Sequence, residues 1–238
     1  MTDLDARRAA FRDLHRAGCF VLPNPWDGGT ALRCAKAGFR ALASTSAGAA
    51  WALGLEDGAM GVDQVLDHLR FLCGVTDLPV NADFEAGFAD TPDGVAGLSI
   101  EDRAGAALIP FEAAVARMRA ARAAVDRTGA DVVLVGRCEA YLMDPLDMGE
   151  VVRRLRAYGE AGADCLYAPG LRTLDAVAHL VRAVDLPVNA NLTGTGLSVA
   201  EMAGVGVRRV SVGAALAQAT YGAFDGFVGR LAAEGRLP

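Results

Sequence analysis

The chain has 238 residues, 53% hydrophobic and 22% charged, which is enough apolar material for a large core and too little charge for a disordered chain. Twenty-three basic residues against 29 acidic ones leave a net charge of −6, the wrong sign for a duplex-binding surface, so no nucleic-acid partner is expected. Lys36 is the only lysine and lies in a helical pattern, which removes Schiff-base chemistry from most of the chain. The five cysteines, Cys19, Cys34, Cys73, Cys138 and Cys165, contain no CxxC pair, so neither a zinc clip nor a disulfide framework is indicated. The N-terminal stretch lacks a signal-type apolar region, and no run of about 18 apolar residues occurs; the expectation is no membrane partner and a cytoplasmic location.

In chain order, short apolar runs at Cys19–Pro23, Ala41–Thr45, Leu78–Asp83, Leu98–Glu101, Val132–Arg137, Cys165–Tyr167, Leu186–Asn191 and Arg209–Val212 read as strands. Amphipathic stretches at Gly61–Cys73, Phe111–Val125, Met148–Glu160, Leu174–Val184, Val199–Ala203 and Ala217–Ala233 read as helices. Strands separated by helices run parallel, and eight such units predict an α/β fold, a (β/α)8 TIM barrel, as a single domain over residues 1–238. An open doubly wound sheet is the competing architecture, and no GxGxxG opens the first helix to support it. The phrase Asp-Leu-Pro-Val-Asn-Ala occurs at Asp77–Ala82 and again at Asp185–Ala190, the same loop-into-strand junction at the third and seventh strands. Only twelve residues, Ala86 to Gly97, separate Glu85 from Leu98, so the third helix is expected to be short or missing.

A barrel of this kind carries its chemistry at the carboxyl ends of its strands. Asp83 and Glu85 stand at i and i+2, on one face of an extended segment, and Glu101 from the neighbouring strand can join them. Three hard oxygen donors without nearby His or Cys suit Mg2+ or Mn2+ rather than zinc. Arg137 would face the same mouth and offer a fork to a carboxylate. The same residues also read as a structural network, with Asp83 and Glu101 paired to Arg137 or Arg103, and spacing leaves both readings open. Ser44-Thr45-Ser46-Ala47-Gly48 is a small polar turn that either holds a carboxylate oxygen or is an ordinary connection. Gly194-Thr195-Gly196 and Gly213 stand where many barrels bind phosphate, and they serve equally as plain turns. His15, His68 and His179 lie away from the strand ends and read as packing or surface residues. Cys138 alternates with Arg137 and Glu139 and should face the helices.

An ordered set of motifs carries a resemblance: Pro23-Asn24-Pro25-Trp26-Asp27, Ser44–Gly48, Leu53-Gly54-Leu55-Glu56-Asp57, Val80-Asn81-Ala82-Asp83-Phe84-Glu85, Ile100-Glu101-Asp102, Gly136-Arg137, Tyr158–Asp164 and Gly206–Gly213. In order and spacing, over nearly the whole chain, it resembles the isocitrate lyase/phosphoenolpyruvate mutase superfamily. The resemblance implies a (β/α)8 barrel, Mg2+ dependence, a homo-oligomer, and a small carboxylic acid partner handled through a pyruvate enolate. It implies that Asp83 is a direct metal ligand, with Glu85 and Glu101 as outer carboxylates acting through water. It further assigns Ser44, Thr45 and Ser46 to the substrate carboxylate and Asp57 to the reacting centre. Arg137 and Asn191 become substrate contacts.

Departures from the family pattern narrow the reaction. The lyases carry a Lys-Lys-Cys-Gly-His loop after the fourth strand; here the segment Asp102–Pro110 has no Lys, Cys or His. After the sixth strand stands Ala168-Pro169-Gly170, where lyases place a Glu and the mutase a His. The sequence reaches Pro238 after one last helical stretch, so the family's further helix, which packs on a neighbouring subunit, is not expected within it. Loss of CO2 from a 2-oxo acid needs no acid–base group from that loop. The expectation is therefore a Mg2+-dependent carbon–carbon lyase acting on a small 2-oxo or 2-hydroxy acid, oxaloacetate decarboxylase-like. The competing expectations are phosphonopyruvate-type C–P chemistry with Arg103 as the cation, 2-methylisocitrate lyase-like cleavage, a degenerate barrel that binds without turnover, and an unrelated phosphate-binding barrel.

Overall fold

The computed structural model describes residues 3–85, 87, 94–143 and 147–236. Eight parallel strands form one sheet that curls into a nearly closed barrel: β1 (Phe20–Leu22), β2 (Leu42–Ala43), β3 (Val80–Asp83), β4 (Gly97–Glu101), β5 (Val133–Arg137), β6 (Cys165–Tyr167), β7 (Val188–Asn191) and β8 (Arg209–Ser211). Strands β2 to β8 pair in sequence order, and β8 returns to β1. Across the remaining seam Ala43 N–H donates to Pro23 O at 3.0 Å. The buried Asn24 ties β1 to both its neighbours: its amide donates to Ser44 O after β2 at 2.9 Å, and its oxygen accepts the Val212 and Gly213 N–H groups after β8 at 3.0 and 2.9 Å.

The helices are α1 (Asp3–Leu14), α2 (Gly28–Lys36), α3 (Ser46–Ala52), α4 (Val62–Val75), α5 (Phe111–Thr128), α6 (Met148–Glu160), α7 (Leu174–Ala183), α8 (Val199–Gly204) and α9 (Ala215–Glu234). All eight expected strands and all six expected helices are present. Two segments differ from their sequence reading. The Ser44–Gly48 turn runs into α3, because Thr45 is extended and its hydroxyl accepts Gly48 N–H at 3.3 Å, an N-cap for the alanine-rich stretch that follows. The segment after β4 is a ribbon rather than a bare loop, with Arg103–Ala104 antiparallel to Ala107–Leu108 and Gly105 turning at φ 58°. The short or missing third helix falls on residues 86–97, of which 86 and 88–93 lie outside the described residues.

Alternation along the strands sorts side chains into two layers. Outward residues such as Ala82, Leu98, Leu134, Leu166 and Val210 pack against the helices, and Cys138 joins this outer core. Inside, α1 drives Phe11 and Leu14 into the amino-terminal end of the barrel against Phe20, Leu22, Val133 and Val135. Above that apolar plug the interior turns polar. The repeated Asp-Leu-Pro-Val-Asn-Ala phrase has a matching structural result: each Asn donates to a serine on the next strand, Asn81 to Ser99 at 3.1 Å and Asn189 to Ser211 at 3.0 Å. Gly97 and Arg209 occupy equivalent registers beside these two asparagines. Arg209 crosses the barrel to donate to Asn81 Oδ1 at 3.2 Å, and the bare Gly97 leaves room there, since a Cβ on it would lie 2.7 Å from that oxygen. All five cysteines are free, and among the described residues no helix is long and apolar enough to cross a membrane.

Candidate active site

Strand register places Glu101 beside Arg137, and Arg137 beside Tyr167, at the carboxyl end of β4, β5 and β6. Arg137 is the hub. Its Nε pairs with Glu139, its NH1 donates to Asp83 Oδ1 at 3.2 Å, and its NH2 lies 3.3 Å from Glu101 Oε2. The Tyr167 ring stands 5.6 Å away. Burial disfavours the Arg137 charge, but Asp83 and Glu139 more than offset it and hold the guanidinium pKa above its ordinary value. Asp83 is held from the other side as well: Ser44 Oγ accepts its N–H at 2.8 Å, and Ser46 N–H donates to its Oδ2 at 3.2 Å. The Ser44–Ser46 segment therefore positions a carboxylate of the protein itself.

Negative charge exceeds positive charge around this hub. Burial pushes the Glu101 carboxyl up to about 7, with Arg137 opposing and Glu139 and Asp83 adding to the rise. Glu85 is also raised, by burial and then by Asp83 and Asp57. It sits at φ 41°, an uncommon conformation for a residue with a side chain, and its carbonyl accepts Glu101 N–H at 2.9 Å. Glu139 is fully buried, and its Oε2 has no hydrogen-bond partner. Its backbone is fixed by Asp102, which accepts Glu139 N–H at 2.8 Å, Tyr158 OH at 2.6 Å and Arg154 NH1 at 3.2 Å.

A cavity of about 300 Å³ opens over this cluster. Thr45, Ser46, Asp57, Asp83, Arg137 and Asn191 line it. Ser44 lines a deeper cavity of about 50 Å³ that reaches Arg209 in the barrel core, and Glu85 lines a small pocket towards α4. Asn191 is oriented by Tyr167, donating to its hydroxyl at 3.2 Å and accepting Thr193 N–H at 2.7 Å. Arg103 lies 3.8 Å from Glu101. Sequence reasoning passed over Glu139 and Tyr167. The alternation that placed Arg137 also places Glu139 two residues on, and Tyr167 ends its strand as Asp83 ends β3; neither pattern reveals which partner each would meet.

The profile of the family described as Phosphoenolpyruvate phosphomutase matches residues 11–231. The chain belongs to that family. It is thus an enzyme of the isocitrate lyase/phosphoenolpyruvate mutase superfamily of lyases and mutases. Within the superfamily, a crystal structure from Burkholderia cenocepacia J2315 is 42% identical, with a TM-score of 0.94 over 99% of this chain and 92% of that one. The structure of oxaloacetate acetylhydrolase in complex with the product oxalate is 25% identical, with a TM-score of 0.90, covering 98% of this chain and 89% of that one. The 2-methylisocitrate lyase of Escherichia coli strain K12 is 33% identical over 189 residues; the match takes in 70% of this chain and 62% of that enzyme.

Proposed function

We propose that this member of the phosphoenolpyruvate mutase family is a Mg2+-dependent carbon–carbon lyase that decarboxylates a small 2-oxo dicarboxylic acid such as oxaloacetate. The observation that carries the reading is the carboxylate cluster beneath the cavity: Asp83, which lines it, and the buried Glu101 and Glu139 surround one guanidinium, and a buried Glu139 oxygen is left without a partner. Uncompensated hard-oxygen charge of this kind fits a divalent cation. Among the described residues no three acidic, His or Cys side chains are gathered to ligate one ion directly. Mg2+ suits such a set, because it keeps several waters and is held through one or two carboxylates. Asp83 would hold it directly, with Glu85 and Glu101 acting through water. When bound, Mg2+ supplies Lewis-acid polarisation of the 2-oxo group and stabilises the negative charge left by the departing carboxylate.

The remaining work falls to the chain. Ser44 and Ser46 fix Asp83, and Thr45 and Ser46 line the cavity where the acid's first carboxylate would lie. Asn191, preset by Tyr167, offers a side-chain contact from β7. Arg137 holds the carboxylates in place and carries positive charge at the cavity wall. The ribbon after β4 brings no His, Cys or Lys, so general-acid help, about 10²–10⁴-fold where present, is not supplied from it. That favours CO2 loss over cleavage of a tricarboxylic acid. Arg103, the cation that C–P chemistry would need, lies 3.8 Å from Glu101.

Pyruvate release from oxaloacetate, measured with Mg2+ and with chelator, tests the reading. The purified protein should exceed the metal-only rate, Arg137→Ala should lose most of the excess, and isocitrate and 2-methylisocitrate should yield no glyoxylate or pyruvate. Efficient cleavage of either tricarboxylic acid would overturn the assignment. Mg2+-dependent binding of these acids without product would leave a binding barrel in its place.

A further inference from the structure

The cavity contains a second guanidinium to which nothing in the foregoing chemistry gives a task. Arg172 follows β6 by five residues and lines the same cavity as Asp83, Arg137 and Asn191. Its side chain crosses from the β6 loop to the β7 loop, with NH1 3.6 Å from where a Cβ on Gly194 would stand. Arg172 is exposed, and among the described residues it makes no ion pair and no side-chain hydrogen bond. Arg137 is its opposite: each of its three guanidinium nitrogens faces a carboxylate of the protein. Among the described residues four charged side chains line the cavity, Asp57, Asp83, Arg137 and Arg172, and of these only Arg172 is a cation not already matched by the protein's own acids. An anionic ligand with one end at the Asp83 floor meets, on the β6–β7 side, a free fork suited to a carboxylate.

We infer that Arg172 is a specificity-determining residue that binds the second carboxylate of a dicarboxylic substrate, so that the cavity selects C4-type diacids over monocarboxylic acids with the same head. The inference deepens the decarboxylase reading and rests on it for the substrate class. An unpaired guanidinium at a solvent-open rim gains its full charge-assisted contact only when the diacid arrives, so the selectivity falls on one side chain.

The pair malate and lactate tests it without turnover, because the two acids share a 2-hydroxycarboxylate head and differ by the distal carboxylate. Calorimetry in Mg2+ should show wild-type protein binding malate more tightly than lactate by about tenfold or more. Arg172→Gln should abolish that preference and leave lactate binding unchanged. Arg172→Lys should restore part of it, since a point charge replaces the fork. Being exposed and unpartnered, the residue can be replaced without loss of fold, which an unchanged melting temperature will verify. Equal affinity for the two acids in the wild type, or equal weakening of both in Arg172→Gln, overturns the inference. If malate selectivity and its loss are observed while wild-type protein releases no pyruvate from oxaloacetate, the subsite stands and the decarboxylase reading falls.

Discussion

Acidification should destabilise this barrel through one buried histidine. His15, just past α1, is 7% exposed and packs edge-on against Phe11 and Phe20, with ring centroids 4.9 and 5.0 Å away. Its Nδ1 lies 2.9 Å from Phe11 O, the right distance to donate a proton, while Nε2 is buried without a partner. Burial, and then the charge of Arg209 on β8, push its pKa down to about 4; Arg12 on α1 adds to the fall, and the Phe11 carbonyl and Asp164 oppose it. An unfolded histidine titrates near 6.5, so between the two values the unfolded chain binds a proton that the native state refuses. The contribution of His15 is therefore fully present above the unfolded pKa and drains away as pH falls towards the folded one. At about 1.4 kcal/mol per unit inside that window, roughly 2 kcal/mol is gone by about pH 5. His15→Gln keeps an N–H for the Phe11 carbonyl and cannot titrate. Urea unfolding of both proteins, from about pH 8 to about pH 5, isolates the effect, because the carboxylates titrate alike in both. The wild type should lose about 2 kcal/mol more than the variant over that range. Parallel stability curves would refute the account of the buried ring.

Other substitutions probe the parts that position the site. Asn24→Ala removes three hydrogen bonds across the β1–β2 and β1–β8 seams and should cost about 3 kcal/mol in thermal or urea unfolding; a cost under about 1 kcal/mol would mean that strand pairing alone closes the barrel. Gly97→Ala places a Cβ 2.6 Å from Phe11 and 3.1 Å from the Val133 carbonyl, and should destabilise by about 1–3 kcal/mol; an unchanged melting temperature would contradict it. Asp102→Ala leaves Arg154, Tyr158 and Glu139 N–H without their shared carboxylate and should cost about 3 kcal/mol or more, with oxaloacetate turnover falling as Glu139 loses its anchor; stability within about 1 kcal/mol of wild type would show that Glu150 alone suffices for Arg154.

The strand order and the parallel sheet were legible in the chain itself. Alternation and helix periodicity are local signals, and each βα unit writes its own: Cys165–Tyr167 and Met148–Glu160 read from sequence with the bounds they have in the structure. Asp83, Glu101 and Arg137 were visible for the same reason, since polar residues at the ends of apolar strands stand out against their neighbours. The repeated Asp-Leu-Pro-Val-Asn-Ala phrase was visible too, but its meaning was not, because the serines that receive its two asparagines lie on the following strands. Partnership is what the sequence left open. Whether Arg137 would face a ligand or three of the protein's carboxylates depended on the register of β3, β4 and β5, which sequence spacing does not encode. Asn24 looked like one polar residue in a proline-rich turn until barrel closure brought Ser44 and Gly213 to it. Arg172 gave no periodic or motif signal at all. The role inferred for it rests only on the tertiary structure, which sets the β6 and β7 loops side by side over one cavity and, among the described residues, leaves a single cation of its lining without a counter-charge.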